Sequence, residues 1–179
     1  MRFLKIVFGL ILSCCLAHAG TVSNWHLRNK VANVYKAQVG VREATGKNDG
    51  PQVKAYLASV GLAEGHNWCA AVLYYCFQSS GIVSVPKSGW SPSWFPRNKT
   101  IYRRGEVYKT LNWPKSSVFG IYFPRMGRIA HVGFVDTVIN NRVVTYEGNT
   151  NAQGSRVGNG FFRRLRPVGT IAAVSDFIQ

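Results

Sequence analysis

An α+β fold, with helices on one side of an antiparallel sheet, is predicted by the order of patterns along the chain. Three segments with helical spacing come first, over 23–81, and five segments of strand character follow, over 117–177. A length of 179 residues corresponds to one domain with room for a substantial core.

The first nineteen residues stand outside that domain. "MRFLK" supplies positive charge, "IVFGLILSCCLA" is an apolar run, and Ala17-His18-Ala19 is a small-x-small cleavage site before Gly20. That combination predicts a secretory signal peptide over 1–19 and a single domain over 20–179. The apolar run is too short for a membrane span of about 20 residues. The alternatives are an uncleaved anchor and a poor lipidation site at Ser13-Cys14.

"SNWHLRNKVANVYKAQVG" (23–40) has Ser23 or Asn24 as a cap, apolar residues near helical spacing and a terminating Gly40. "VREATGKNDG" (41–50) is a polar, glycine-punctuated loop. Pro51 suits the first turn of a second helix, which runs to Gly61. After the connector "LAEGHN", the third helix reads "WCAAVLYYCFQSSG". Residues 82–117 are irregular, with Pro86, Pro92, Pro96 and Pro114 among Trp90, Trp94, Phe95, Tyr102 and Trp113. Strands are predicted at 117–124, 130–139, 142–148, 160–167 and 168–177, with a Gly/Asn-rich loop at 149–159.

The chain carries 22 Lys+Arg against 7 Asp+Glu. Loss of Arg2 and Lys5 with the leader lowers the first figure to 20, a formal charge of +13. An exported chain this basic suits an anionic surface or polymer such as the bacterial envelope. Nucleic acid, the generic partner of such charge, is disfavoured by export and by the lack of any nucleic-acid motif. There is no metal-ligand spacing, phosphate loop or nucleotide motif, so no cofactor or metal is expected.

Cys14 and Cys15 leave with the leader, so the mature chain keeps Cys69 and Cys76. Seven residues along one helix separates them by about 10.5 Å. A disulfide needs Cα atoms within about 7 Å, so both are expected as free thiols. Cys76, within "LYYCFQ", reads as a small buried hydrophobe. Cys69 stands in the first helical turn, where unpaired N–H groups and the positive dipole end stabilise a thiolate. Taken alone it reads first as a core cysteine; partners elsewhere in the chain turn the reading to a nucleophile.

A thiolate nucleophile needs a base, and the base needs an orienting acceptor. His26 lies on the first helix. His66 is only three residues from Cys69, which makes facing geometry difficult. His131 begins a strand, and the next strand ends in Glu147-Gly148-Asn149, so a hairpin returns an acid and an amide beside it. Parity then matters. A two-residue turn at Asn140-Asn141 puts His131 opposite Thr150 and sends Glu147 to the other face. A register pairing Val138 with Arg142 puts Gly133 opposite Glu147 and His131 opposite Asn149. The second is expected, through an odd loop or a bulge near Ile139–Asn141. The carboxylate would then accept the Nδ1–H of His131 and leave Nε2 to face Cys69.

"WCAAVLYYCFQSSGI", "GRIAHVGFVD" and "YEGNTN…GSRVGNGFFRRLRP" together resemble the CHAP family, cysteine- and histidine-dependent amidohydrolases/peptidases of the papain-like, NlpC-related superfamily. The resemblance covers about residues 40–168. It departs in one place, where Ala130-His131 replaces Gly-His, with Gly127 earlier. It implies a papain-like α+β fold, peptidoglycan amide cleavage without metal, a nucleophile at Cys69, a base at His131, an acid at Glu147 and an auxiliary amide at Asn149. Backbone N–H groups at the start of the Cys69 helix would hold the oxyanion.

Other residues keep two readings. Asp49, in "NDG" (48–50), is a turn residue or a substrate-positioning one. Trp90 and Trp94 either pack the irregular segment or form a wall for substrate. "RRLR" (163–166) is a solvated basic face or holds an acidic polymer. The expected activity is a secreted or periplasmic amidase/endopeptidase of peptidoglycan. A protease acting on proteins and a non-catalytic wall-binding module are the alternatives.

Overall fold

The strand at Arg128–Ile139 is the spine of the molecule, because its neighbours on both sides and the helix carrying Cys69 all pack against it. The computed structural model describes residues 24–106, 112–151, 153 and 158–178. The expected leader over 1–19 therefore lies outside the described residues.

Three helices come first: α1 at 24–36, α2 at Pro51–Ser59 and α3 at Cys69–Ser79. The first stops short of the expected Gly40, since residues 37–40 form a turn in which Gly40 has φ 97°. Pro51 opens α2, where its missing N–H has no helical partner to lose. No helix among the described residues is long and apolar enough to cross a membrane.

Among the described residues six strands form one antiparallel sheet: β1 Thr100–Arg103, β2 Val118–Phe123, β3 Arg128–Ile139, β4 Arg142–Thr150, β5 Gly160–Pro167 and β6 Ala173–Ser175. Their order is β1-β6-β2-β3-β4-β5. The fold is thus α+β, with the start of the Cys69 helix set against an antiparallel sheet. Two elements differ from the sequence expectation. The irregular 82–117 segment contains β1, a four-residue edge strand paired only with β6. The strand expected over 168–177 narrows to β6, preceded by a 3₁₀ turn at Val168–Thr170.

The sheet has a core on each side. The larger joins the helices to Val132, Phe134, Val144, Tyr146 and Phe161. Tyr35 of α1 stacks on Phe134 at 4.7 Å, and Phe77 of α3 packs on the same ring at 5.4 Å. The smaller core, on the opposite side, gathers Trp113, Phe119, Val135, Val143, Val168, Ile171 and Val174. Adjacent residues such as Val143 and Val144 go to different cores, as strand alternation requires.

The β3–β4 hairpin settles the register by a route the sequence did not signal. It closes through a two-residue turn: Ile139 pairs with Arg142, and Asn140 and Asn141 have φ 49° and 57°. The expected odd loop is therefore absent. A bulge at Asp136 supplies the extra residue instead, so Thr137 pairs with Val144 while Val135 pairs with Thr145. Beyond it Phe134 pairs with Tyr146, the register that brings Gly133 beside Glu147. Asp136 has its own reason to leave the ladder: it accepts a hydrogen bond from Tyr35 Oη at 2.8 Å and an ion pair from Lys36 at 3.0 Å, both on α1.

Candidate active site

A second bulge in β3 falls at Ala130, between the pairs Ile121–His131 and Tyr122–Ile129. It shifts the register just before His131, which stays paired with Ile121 and meets the Cys69 sulfur at the start of α3. Cys69, His131 and Glu147 come together there and are buried, at 3%, 1% and 0% exposure. His131 Nε2 lies 2.9 Å from Glu147 Oε2. Gly133 makes that contact feasible. A Cβ at this position would sit 2.9 Å from Glu147 Cγ and 2.7 Å from the Phe119 ring.

The imidazole is turned over relative to the sequence expectation. Nε2, the nitrogen farther from the backbone, reaches across to the neighbouring strand. Nδ1 is left on the side where the Cys69 sulfur interacts with the ring and with the Val132 N–H. Nδ1 has no partner at ordinary hydrogen-bond geometry among the described residues, the loose arrangement common in an unliganded site. Ser91 Oγ stands 3.7 Å from the Cys69 sulfur on its other side.

Glu147 is held by a residue the sequence reading assigned to a solvated face. Arg166 donates from Nε to Oε1 and from Nη2 to Oε2, each at 2.6 Å, a bidentate clamp. Thr145 Oγ1 also donates to Oε1. Alternation could have found this clamp. Val143 pairs with Arg166 in the β4–β5 ladder, so Arg166 shares a face with Val143, Thr145 and Glu147.

Four groups therefore run in a row: Cys69, His131, Glu147 and Arg166. Burial alone would push Glu147 up, but Arg166 and His131 hold it down at about 2. Burial would lower His131, yet the Cys69 sulfur and Glu147 raise it to about 9. Burial would raise Cys69, and His131, Ser91 and the Val132 N–H outweigh it, so the net shift is downward. At neutral pH His131 is therefore held as imidazolium and Glu147 as carboxylate, and the Cys69 thiol is displaced toward its thiolate. Cys76 has no such neighbours, and burial pushes its thiol well up. Both thiols are free.

Asn149 does not reach the imidazole. It sits at φ 56° in a bulge of the β4–β5 ladder. Its Oδ1 accepts from the Trp68 N–H at 3.3 Å. Its amide nitrogen donates to Asn48 Oδ1 at 2.8 Å, to the Gly158 carbonyl at 3.0 Å and to Glu43 at 3.3 Å. Glu43 in turn accepts from the Trp68 indole at 2.9 Å. Asn149 thus acts on the residue that caps α3, and through it on Cys69.

The row opens at its cysteine end onto a cleft of about 460 Å³, lined among others by His66, Asn67, Cys69, Trp90, Ser91 and Arg128. Trp90 is half exposed there, whereas Trp94 is fully buried against Phe77 and Phe177. The two tryptophans divide the readings open for them: Trp94 packs the irregular segment, and Trp90 faces the cleft. Asp49 is not part of the lining. It accepts from the backbone and hydroxyl of Thr45, bonds that close its loop and hold its carboxyl below the usual range.

No protein-family model matches the chain, and no curated protein matches it. Among solved structures the chain is similar to the crystal structure of Ly7917 with the hydrolyzing product of MDP. The identity is 15% and the TM-score 0.43, over 83% of this chain and 62% of that one.

Proposed function

We propose that the protein is an exported, CHAP-like cysteine amidohydrolase/peptidase that cuts an amide bond of peptidoglycan. The observation that carries the reading is the buried row that ends, at Cys69, in an open cleft. A structural cysteine has no use for an imidazolium and a clamped carboxylate behind it. A nucleophile needs both.

The thiolate of Cys69 attacks the amide carbonyl, forming a C–S bond and an oxyanion. The first N–H groups of α3 have no helical acceptors and are available to hold that oxygen. His131 gives its Nδ1 proton to the leaving nitrogen, the C–N bond breaks, and a thioester remains. His131, now neutral, takes a proton from water; the hydroxide displaces the sulfur, and the acid product leaves. Glu147 keeps the ring oriented through Nε2 and stabilises its charge, while Arg166 keeps Glu147 ionised. Electrostatic attraction between the basic chain and anionic envelope polymers supports the choice of peptidoglycan over other amides.

Purified peptidoglycan incubated with the protein should release new amine and carboxyl ends, identifiable by mass spectrometry. Cys69→Ala should be slower by on the order of 10³-fold or more. Equal release by the variant would remove the cysteine from the chemistry. Cleavage of an unfolded protein such as casein, with peptidoglycan left intact, would favour the protease reading.

A further inference from the structure

Beyond Trp90 the cleft meets a second cavity, of about 580 Å³, that plays no part in the chemistry above. Arg128 lines both. Three arginines, Arg103, Arg104 and Arg128, border the second cavity against one acid, Glu106, with Tyr122 and the small residues Ala172 and Ala173 beside them. Positive side chains therefore outnumber the acid in the lining of this cavity.

Arg128 is already fixed for binding. Its guanidinium lies over the Trp90 ring at 3.9 Å, and Nη1 donates to the Ile129 carbonyl at 3.2 Å. Stacking occupies the face of the group and leaves the in-plane donors at its edge. Arg104 is anchored in a similar way, through Nε to the Ile171 carbonyl at 3.2 Å. The remaining donors of Arg104 and Arg128 have no partner among the described residues. Two held guanidinium groups with spare planar donors match the paired oxygens of a carboxylate.

Position along the strand specifies on which side of the nucleophile that carboxylate sits. Arg128 precedes His131 by three residues on β3, beyond the bulge at Ala130. We propose that this cavity is a carboxylate subsite, in which Arg128 and Arg104 hold an acidic group of the substrate peptide on the Trp90 side of the cleft. The proposal rests on the hydrolase reading for its substrate, but the subsite can be tested without turnover.

The test uses Cys69→Ala protein and N-acetylmuramoyl peptides in pairs that differ only in a free carboxylate or its carboxamide. Calorimetric titration should find a pair in which the carboxylate binds tighter by on the order of 10-fold or more. Arg128→Gln and Arg104→Gln should each move that ratio toward one. Arg128→Lys should restore little of it, since an ammonium neither stacks flat nor forks. Absence of binding, no difference within any pair, or a difference that survives both glutamine variants overturns the subsite. Turnover by the unaltered protein is measured on the same peptides. Preference in binding without turnover would leave the subsite standing and remove the hydrolase reading; turnover without preference would do the reverse.

Discussion

Replacing His131 with alanine is expected to lower amide turnover by on the order of 10³-fold or more while leaving the fold in place. Two losses combine. The leaving nitrogen loses its proton donor, and Cys69 loses the main group that offsets its burial, so the thiol reverts toward its protonated form. Glu147 remains paired with Arg166 in the variant, which keeps the buried carboxylate from being stranded. His66→Ala should cost much less, because His66 is an exposed residue of the cleft wall. In the unaltered protein, activity should fall on the alkaline side as His131 deprotonates near pH 9. An exchange of effects between the two histidine variants would reassign the base.

The second large effect is on stability. Glu147→Gln removes the charge that two buried cations share and should destabilise the protein by about 3–5 kcal/mol, measured by urea unfolding near neutral pH. Arg166→Met should also destabilise. The double variant should lose less than the two singles combined, because no uncompensated charge is left between these positions. Equal additivity would mean that the clamp does not couple the two residues. The sign of the pH dependence follows from the same contacts. Glu147 is depressed to about 2, so its contribution is present above its unfolded value near pH 4.5 and is lost as pH falls through about 2. His131 is raised to about 9, so its contribution is complete below its unfolded value near pH 6.5 and is lost as pH rises through about 9. With Glu147→Gln the imidazolium loses a partner, and the alkaline limb of activity should move to lower pH.

Much of this arrangement was legible before the fold was seen, and the exceptions have physical causes. Helical spacing and Pro51 placed α2 and α3, and strand alternation placed β3, β4 and β5. The two-residue turn at Asn140-Asn141 goes against the parity expectation, although paired asparagines suit the positive φ of such a hairpin. What no local pattern encodes is the bulge at Asp136. Its cause is tertiary, a hydrogen bond and an ion pair to α1, more than a hundred residues away for Tyr35. The parity argument reached the right face for Glu147 through the wrong loop. The same argument, carried one strand further, would have separated Arg166 from the solvated reading of "RRLR". β1 was missed because four edge residues among prolines carry too little alternation to register. Asn149 is expected beside the ring because the register pairing Val138 with Arg142 sets it opposite His131. Its left-handed backbone turns the side chain toward Trp68 instead.

The central claim is that Cys69 rests as a thiolate paired with the His131 imidazolium. Alkylation by iodoacetamide as a function of pH, followed by peptide mass spectrometry, reads this directly. Cys69 should be modified selectively in the folded protein, with the midpoint of its rate below the pH of about 8.5 of an ordinary thiol, and activity should disappear in step. Cys76, buried within α3 without a charged neighbour, should stay unmodified until the protein unfolds. Equal labelling of the two cysteines, or a Cys69 midpoint at or above that of a free thiol, would contradict the account.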